Sequence, residues 1–246
     1  MFLDFPEVKL LRMKIIILAG GLGTRLRGAL GNLPKSLAPI GSKPFLEYLL
    51  RFIVNQGFKD VIITTGYGSE AIKRYVGDGS FLGLQVNYTY EKELLGTGGA
   101  IKLAETMIDS DDFIVINGDT YLEVNLDDML RFHRARGALA TMALAYKENT
   151  GRYGSVRIDK DNKIIAFIEK DDEGRSRYIN GGMYVFRKEI LGYIPANKAY
   201  SLEREVLPTL VGRGLYGFPG DGYFIDIGIP GDYEKAKKEL PVRGIV

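Results

Sequence analysis

An α/β protein is predicted here: a mostly parallel sheet sandwiched by helices, with antiparallel, substrate-covering additions in its second half. Three observations predict it. The runs at 14–18, 60–66 and 111–119 are apolar without alternation, as in strands buried on both faces. Segments of helical period stand between these runs at the spacing of βα units. Beyond about residue 137 the helices give way to short strand-like segments.

Taken in order, "KIIIL" (14–18) is the first buried strand, and a glycine-rich loop follows it. "SKPFLEYLLRFIVNQG" is a helix, with Ser42 near its cap, Pro44 in its first turn and Gly57 at its stop. "DVIITTG" (60–66) is the second strand, "SEAIKRYVGDG" a short helix, "LQVNYTYE" (84–91) the third strand and "GTGGAIKLAETMI" a loop entering a helix. "DDFIVINGD" (111–119) is the fourth strand, polar only at its C-terminal end, and "NLDDMLRFHRARG" is helical. "ALATMALAY", "YGSVRID", "KIIAFIEK" and "GGMYVFRK" read as antiparallel additions over one end of the core. "SLEREVLPTLVG" returns to helix with Ser201 as N-cap, "YFIDIG" is a short strand, and "PGDYEKAKKELP" is a closing helix begun by Pro230. Residues 1–12 read as an N-terminal extension ahead of Met13. Residues 13–246 read as one domain, a nucleotide-binding core at 13–136 and a substrate-covering portion with the closing helix at 137–246.

Composition removes several kinds of chemistry. The 246 residues include 33 Lys and Arg against 31 Asp and Glu, so any anion site is local and a nucleic-acid partner is not expected. There is no Cys and one His, which excludes disulfides, thiolate nucleophiles and Cys/His zinc sites. His133 is expected at a partly exposed helical position. The N-terminus lacks a signal-peptide layout and no long apolar run occurs, so a cytoplasmic location without a membrane partner is expected. A homo-oligomer is compatible with the chain, although the core already accounts for the apolar stripe of 44–56.

The stretch "AGGLGTRLRGALGNLPK" holds five glycines, two arginines and a closing lysine directly behind the first strand. Open α/β sheets bind ligands beyond the C-terminal ends of their strands. Gly20, Gly21 and Gly23 would let phosphates approach main-chain amides, Thr24 adds a hydroxyl, and Arg25 and Lys35 add positive charge. The loop lacks both the third glycine of the dinucleotide fingerprint and the G-K-[ST] ending of the nucleoside-triphosphatase loop. Asp119 and Asp226 each end an apolar strand, where a carboxylate is costly unless it is paired, caps a turn or ligates a cation. If the two strands are neighbours, a magnesium ion fits between them and a nucleotide's phosphates. Glu169 and Lys170 close another apolar strand, as a hydroxyl acceptor and a phosphate ligand or as a solvated strand end. Asn180 precedes two glycines, where backbone can approach a ligand closely.

Together, "LAGGLGTRL", "LPKSLAPIGSKPFLEYLL", "LGTGGAI", "VINGDT", "FIEK", "INGGMYVF" and "YFIDIGIP" resemble, in order and from about Met13 to Leu240, the sugar-phosphate nucleotidyltransferases. The resemblance implies a Rossmann-like nucleotide-diphospho-sugar transferase fold. It also implies Mg2+ as cofactor and a nucleoside triphosphate and a sugar 1-phosphate as substrates. Residues Leu18, Ala19, Gly20, Gly21, Gly23, Thr24 and Gly118 would cradle the nucleotide, with Gly96, Thr97 and Gly98 beside the base. Arg25 and Lys35 would bind the leaving pyrophosphate, Asp119 and Asp226 the metal, and Lys170 the sugar phosphate. Gly154, Glu169, Asn180 and Gly181 would line the sugar pocket. The wording "TRLRGALGNLPKSLAP" and "EKELLGTGGAI" resembles the branch that joins GTP to D-glycero-α-D-manno-heptose 1-phosphate. Many relatives place proline and threonine where this chain has "RGALGN".

The residue inventory agrees with that chemistry. A sugar 1-phosphate is already anionic at neutral pH, its second pKa being about 6, so in-line attack on the α-phosphorus requires no histidine base. Guanine would need acceptors for N1–H and N2–H, and Glu91 and Glu93 are candidates with a surface role as the alternative. Mannose 1-phosphate guanylyl transfer, and glucose 1-phosphate thymidylyl, uridylyl or cytidylyl transfer, remain open, as does a non-catalytic nucleotide-sugar sensor.

Overall fold

The structure is a computed structural model and describes residues 13–148, 150, 153, 155–168 and 176–244. The chain opens with β1 (Lys14–Leu18), a single turn α1 (Arg27–Leu30), and the two-residue strands β2 (Pro39–Ile40) and β3 (Lys43–Pro44). Then come α2 (Phe45–Asn55), β4 (Asp60–Thr65), α3 (Ser69–Val76), β5 (Gln85–Tyr90) and α4 (Gly96–Leu103). Next are β6 (Asp112–Asn117), β7 (Thr120–Leu122), α5 (Leu126–Ala135) and β8 (Ala140–Tyr146). The remainder is β9 (Ser155–Ile158), β10 (Ile164–Ile168), β11 (Tyr178–Arg187), β12 (Leu215–Gly220), β13 (Phe224–Asp226) and α6 (Pro230–Glu239).

Seven strands form the main sheet in the order β12-β8-β11-β6-β1-β4-β5. Parallel ladders join β6, β1, β4 and β5, and another joins β8 to β12. Only β11 runs the other way, antiparallel to both β6 and β8. The central strands lack alternation because both faces are covered. Ile15 and Ile17 of β1 pack into one buried cluster and Ile16 into the other, and Ile114 and Ile116 of β6 oppose Phe113 and Val115 in the same way. Each such isoleucine contributes about 1.5–3 kcal/mol by burial.

Three local expectations change. The segments at 140–146 and 178–187 belong to the main sheet, with β8 parallel to the core, and of the four segments read as additions β9 and β10 form an antiparallel pair of their own. The reason is visible in β8, whose first six residues are all buried, as a central strand requires. Helix α2 starts at Phe45, so Pro44 stands at the cap position rather than in the first turn, and no side chain caps the helix. "SLEREVLPTL" is a π-helical turn, Leu202–Val206, followed by a 3-10 turn, Leu207–Leu210. Pro208 has no N–H for a regular ladder. Ser201 does cap that segment, accepting from the Arg204 N–H at 3.2 Å. No helix among the described residues is long and apolar enough to cross a membrane.

His133 is fully buried, contrary to the partly exposed position expected of it. It completes the inward stripe Leu126, Met129, Leu130 of α5, its Nδ1 lies 2.9 Å from Thr141 Oγ1, and Asp112 Oδ1 lies 3.7 Å from its Nε2.

Candidate active site

An open cleft of about 190 Å³ lies past the C-terminal ends of β1 and β6, where a parallel sheet leaves room for a ligand. Leu18, Ala19, Gly21, Gly23, Thr24, Arg25, Lys35, Gly118 and Asp119 line it, all of them picked out in the sequence. Ser36 and Gly228 line it as well and were not. The backbone explains how the loop fits. Gly23 has a φ of 58°, which favours glycine, and a Cβ on Gly118 would fall 2.5 Å from the Leu18 carbonyl oxygen. The loop is pinned from outside: Tyr67 Oη donates to the Asn32 carbonyl at 3.1 Å, and Pro34 packs against Gly68.

The acids sit together because β13 pairs antiparallel with β7, which puts Asp226 opposite Thr120, the residue after Asp119. Between the two carboxylates stands the Lys35 ammonium, 2.5 Å from Asp119 Oδ2 and 3.8 Å from Asp226 Oδ1. Thr120 Oγ1 donates to Asp119 Oδ1 at 3.1 Å, and the Gly228 N–H donates to Asp226 Oδ1 at 2.6 Å. Burial first, and then the negative charge of Asp119, raise the Asp226 pKa above the usual aspartate value. Lys35, the Gly228 N–H and Arg25 offset that rise in part. Arg25 itself is exposed at the rim.

This pair fits a magnesium ion. The donors are hard oxygens, and a cationic group already bridges them. Magnesium characteristically takes one or two carboxylates and completes its shell with substrate phosphates and water.

On the other side of the loop, Glu91 is buried rather than at the surface. Its Oε2 accepts from the Leu95 N–H at 2.9 Å, while its Oε1 lies so near Gly20 that a Cβ there would be 2.1 Å away. Gly20 is therefore tied to Glu91 as well as to the loop. Burial raises the Glu91 pKa and the Leu95 N–H opposes this.

Gly96, Thr97 and Gly98 do not line the cleft. Gly98 N–H donates to the Tyr200 carbonyl at 2.8 Å, Thr97 Oγ1 donates to Glu203 Oε2 at 2.6 Å, and the Leu202 N–H donates to Thr97 Oγ1 at 2.8 Å. These residues anchor the start of α4, one position after the Leu95 that holds Glu91. Asn180 lies at the β11 irregularity, where Nδ2 donates to Tyr184 Oη at 2.6 Å and Oδ1 accepts from the Gly182 N–H at 2.9 Å. Gly181 fits between Leu122 and the Ala143 carbonyl, where a Cβ would come within 2.8 Å of either. Because β11 runs in reverse, its first residues lie at the same end of the sheet as the cleft. Gly154, Glu169 and Lys170 lie outside the described residues.

No sequence signal marked Ser36. Gly228 stood in the quoted "YFIDIGIP", where an N–H two residues after an acid is well placed to bond it.

The nucleotidyl transferase family profile matches residues 14–242. D-glycero-alpha-D-manno-heptose 1-phosphate guanylyltransferase of Aneurinibacillus thermoaerophilus is 44% identical over 229 residues, 93% of this chain and 98% of the relative. Mannose-1-phosphate guanylyltransferase of Mycobacterium tuberculosis is 37% identical over 94% of this chain and 65% of its own. The crystal structure of HddC from Yersinia pseudotuberculosis complexed with GMP-PN superposes with a TM-score of 0.81 at 36% identity, covering 93% of this chain and 99% of that one. By these matches and by its mostly parallel fold, the chain belongs to the nucleotidyl transferase family, as a sugar-phosphate nucleotidyltransferase.

Proposed function

We propose that the protein transfers a guanylyl group from GTP to D-glycero-α-D-manno-heptose 1-phosphate, releasing pyrophosphate and GDP-heptose. The choice of base rests on the guanylyltransferase relatives, and Glu91, buried beside Gly20 and not itself lining the cleft, is the acceptor assigned to it. Its Oε2 is held by the Leu95 N–H, and its Oε1 stands beside Gly20, next to the phosphate loop. Guanine presents two adjacent N–H donors, N1 and N2, to such a carboxylate, and neither a pyrimidine nor adenine presents that pair. The choice of sugar rests on the Aneurinibacillus relative, which matches nearly end to end.

In this reading the glycines at 20, 21 and 23 offer main-chain amides to the triphosphate, and Thr24 adds a hydroxyl. Arg25 and Lys35 meet the charge that gathers on the leaving oxygen. A phosphate oxygen of the sugar 1-phosphate attacks the α-phosphorus, one P–O bond forms, the bond to the bridging oxygen breaks, and pyrophosphate departs. No proton moves, because the attacking oxygen is ionised beforehand. Asp119 and Asp226 would hold a magnesium ion with the phosphates, and that ion would supply further charge neutralisation. Orienting two anions in line accounts for most of what the site contributes. Lys170, Glu169, Gly154, Asn180 and Gly181 belong to the sugar-phosphate side of the proposal.

Pyrophosphate release measured with four nucleoside triphosphates against heptose, mannose and glucose 1-phosphates tests it. GTP with the heptose phosphate is expected to give the highest kcat/KM. Preference for mannose 1-phosphate, the substrate named for the Mycobacterium relative, would replace the sugar assignment. Preference for a pyrimidine nucleotide would remove the role given to Glu91.

A further inference from the structure

Lys35 occupies a position that binding pyrophosphate does not by itself explain. Its ammonium is 2.5 Å from Asp119 Oδ2 and 3.8 Å from Asp226 Oδ1, the place between two carboxylates that suits a divalent ion. Both acids are fixed from behind, by Thr120 Oγ1 and by the Gly228 N–H. The lysine backbone is fixed too, since its Cβ packs on Gly23 and the preceding Pro34 packs on Gly68. What is left to move is the four-carbon stem and its charge. Magnesium binds oxygen at about 2.0–2.1 Å, so an ion on Asp119 Oδ2 and an ammonium at hydrogen-bond distance from that oxygen repel each other strongly.

We propose that Lys35 is a tethered cation that holds the place between Asp119 and Asp226 until a triphosphate draws its ammonium away, so that the divalent ion enters with the nucleotide or after it. The inference rests on the metal-assisted reading above and adds an order of binding to it. It gives one side chain two successive partners, the acid pair first and the phosphates second. The bridge is walled closely on one side by Gly228, where a Cβ would lie 2.8 Å from Asp226 Oδ1 and 3.1 Å from Lys35 Nζ.

The test uses Mn2+ as the probe and water-proton relaxation enhancement as the readout, on the full chain with and without GTP and with no sugar phosphate. Without nucleotide, Lys35→Met is expected to bind Mn2+ about tenfold more tightly than the unsubstituted protein, equal to about 1.4 kcal/mol. Lys35→Gln is expected to do the same, and it keeps the test available if the Met variant does not fold. The gain is expected to vanish when Asp119→Asn is added. Equal or weaker Mn2+ binding in both lysine variants overturns the proposal, as does a gain that survives Asp119→Asn. If the unsubstituted protein with GTP retains Mn2+ no better than GTP alone, the metal-assisted reading itself fails. If that coupling holds while the lysine variants show no gain, the tethered cation alone fails.

Discussion

The two ends of β6 carry aspartates put to opposite uses. At the start, Asp112 accepts from Arg134 Nε at 2.8 Å and faces the buried His133 ring. Burial alone would raise its pKa, but the nearby His133 ring and the bond and charge of Arg134 outweigh this and hold it below the usual range. Past the other end, Asp119 and Asp226 share one lysine, and burial with mutual repulsion raises Asp226. The acid at the N-terminal end holds α5 to the sheet, and the acids at the C-terminal end are the ones the proposed function gives to a ligand. On that reading, location along a parallel strand separates structural from ligand-facing carboxylates better than residue type does.

The sharpest way to break that contrast is to neutralise one acid at each end. Asp226→Asn is expected to lower kcat by about 10²–10³-fold in a pyrophosphate-release assay while leaving the melting temperature unchanged or higher. Asp112→Asn is expected to leave activity per folded molecule intact and to cost about 1–2 kcal/mol in urea unfolding, a figure reduced because Arg134 is half exposed. If the two variants exchanged these phenotypes, the division of labour would be wrong.

Next in size is the base site. Glu91→Gln replaces one acceptor oxygen by a donor, and is expected to raise KM for GTP about 10–100-fold and to narrow the preference over UTP. A change in kcat alone would place Glu91 outside nucleotide recognition. Gly228→Ala should follow, because its Cβ would press on Asp226 Oδ1 and Lys35 Nζ. A loss of about tenfold in kcat, with folding retained by circular dichroism, is expected.

The smallest effect separates the ends by sign. Asp112, with a folded pKa below its unfolded value near about 3.9, adds stability that is present above that value and lost as pH falls through the folded pKa. Asp226 is raised, so its contribution is a penalty that develops as pH climbs from about 3.9 through the folded pKa. Chemical unfolding across the acid range should therefore show a shallower acid loss in Asp112→Asn and a smaller decline toward neutrality in Asp226→Asn. Parallel curves for the two variants would contradict the opposite shifts.

Much of this was legible in the sequence because it rested on local chemistry. Strands β1, β4 and β6 announced themselves as apolar runs, Asp119 and Asp226 as carboxylates at strand ends that need a partner, and Arg25 and Lys35 as the basic residues of the glycine loop. What escaped was set by long-range pairing. Strand β7 is three residues long and exists because β13 returns to it. The parallel course of β8 depends on β11, which enters the sheet much later in the chain. His133 had a readable signal, since 126, 129, 130 and 133 fall on one face of a helix, yet its imidazole suggested exposure. The burial of Glu91 depends on Gly20 and Leu95 closing around it, which no spacing along one strand reveals.

The reversed strand has a consequence for biogenesis. During translation β6 leaves the ribosome well before β11, with α5, β8, β9 and β10 still to be made between them. Until then the nascent chain displays one open edge of β6, an apolar strand of the kind that recruits foreign partners. A stop codon placed after α5 would strand the polypeptide in that condition, so the first half is expected to accumulate as aggregate or chaperone-bound chain rather than as a free-standing nucleotide-binding unit.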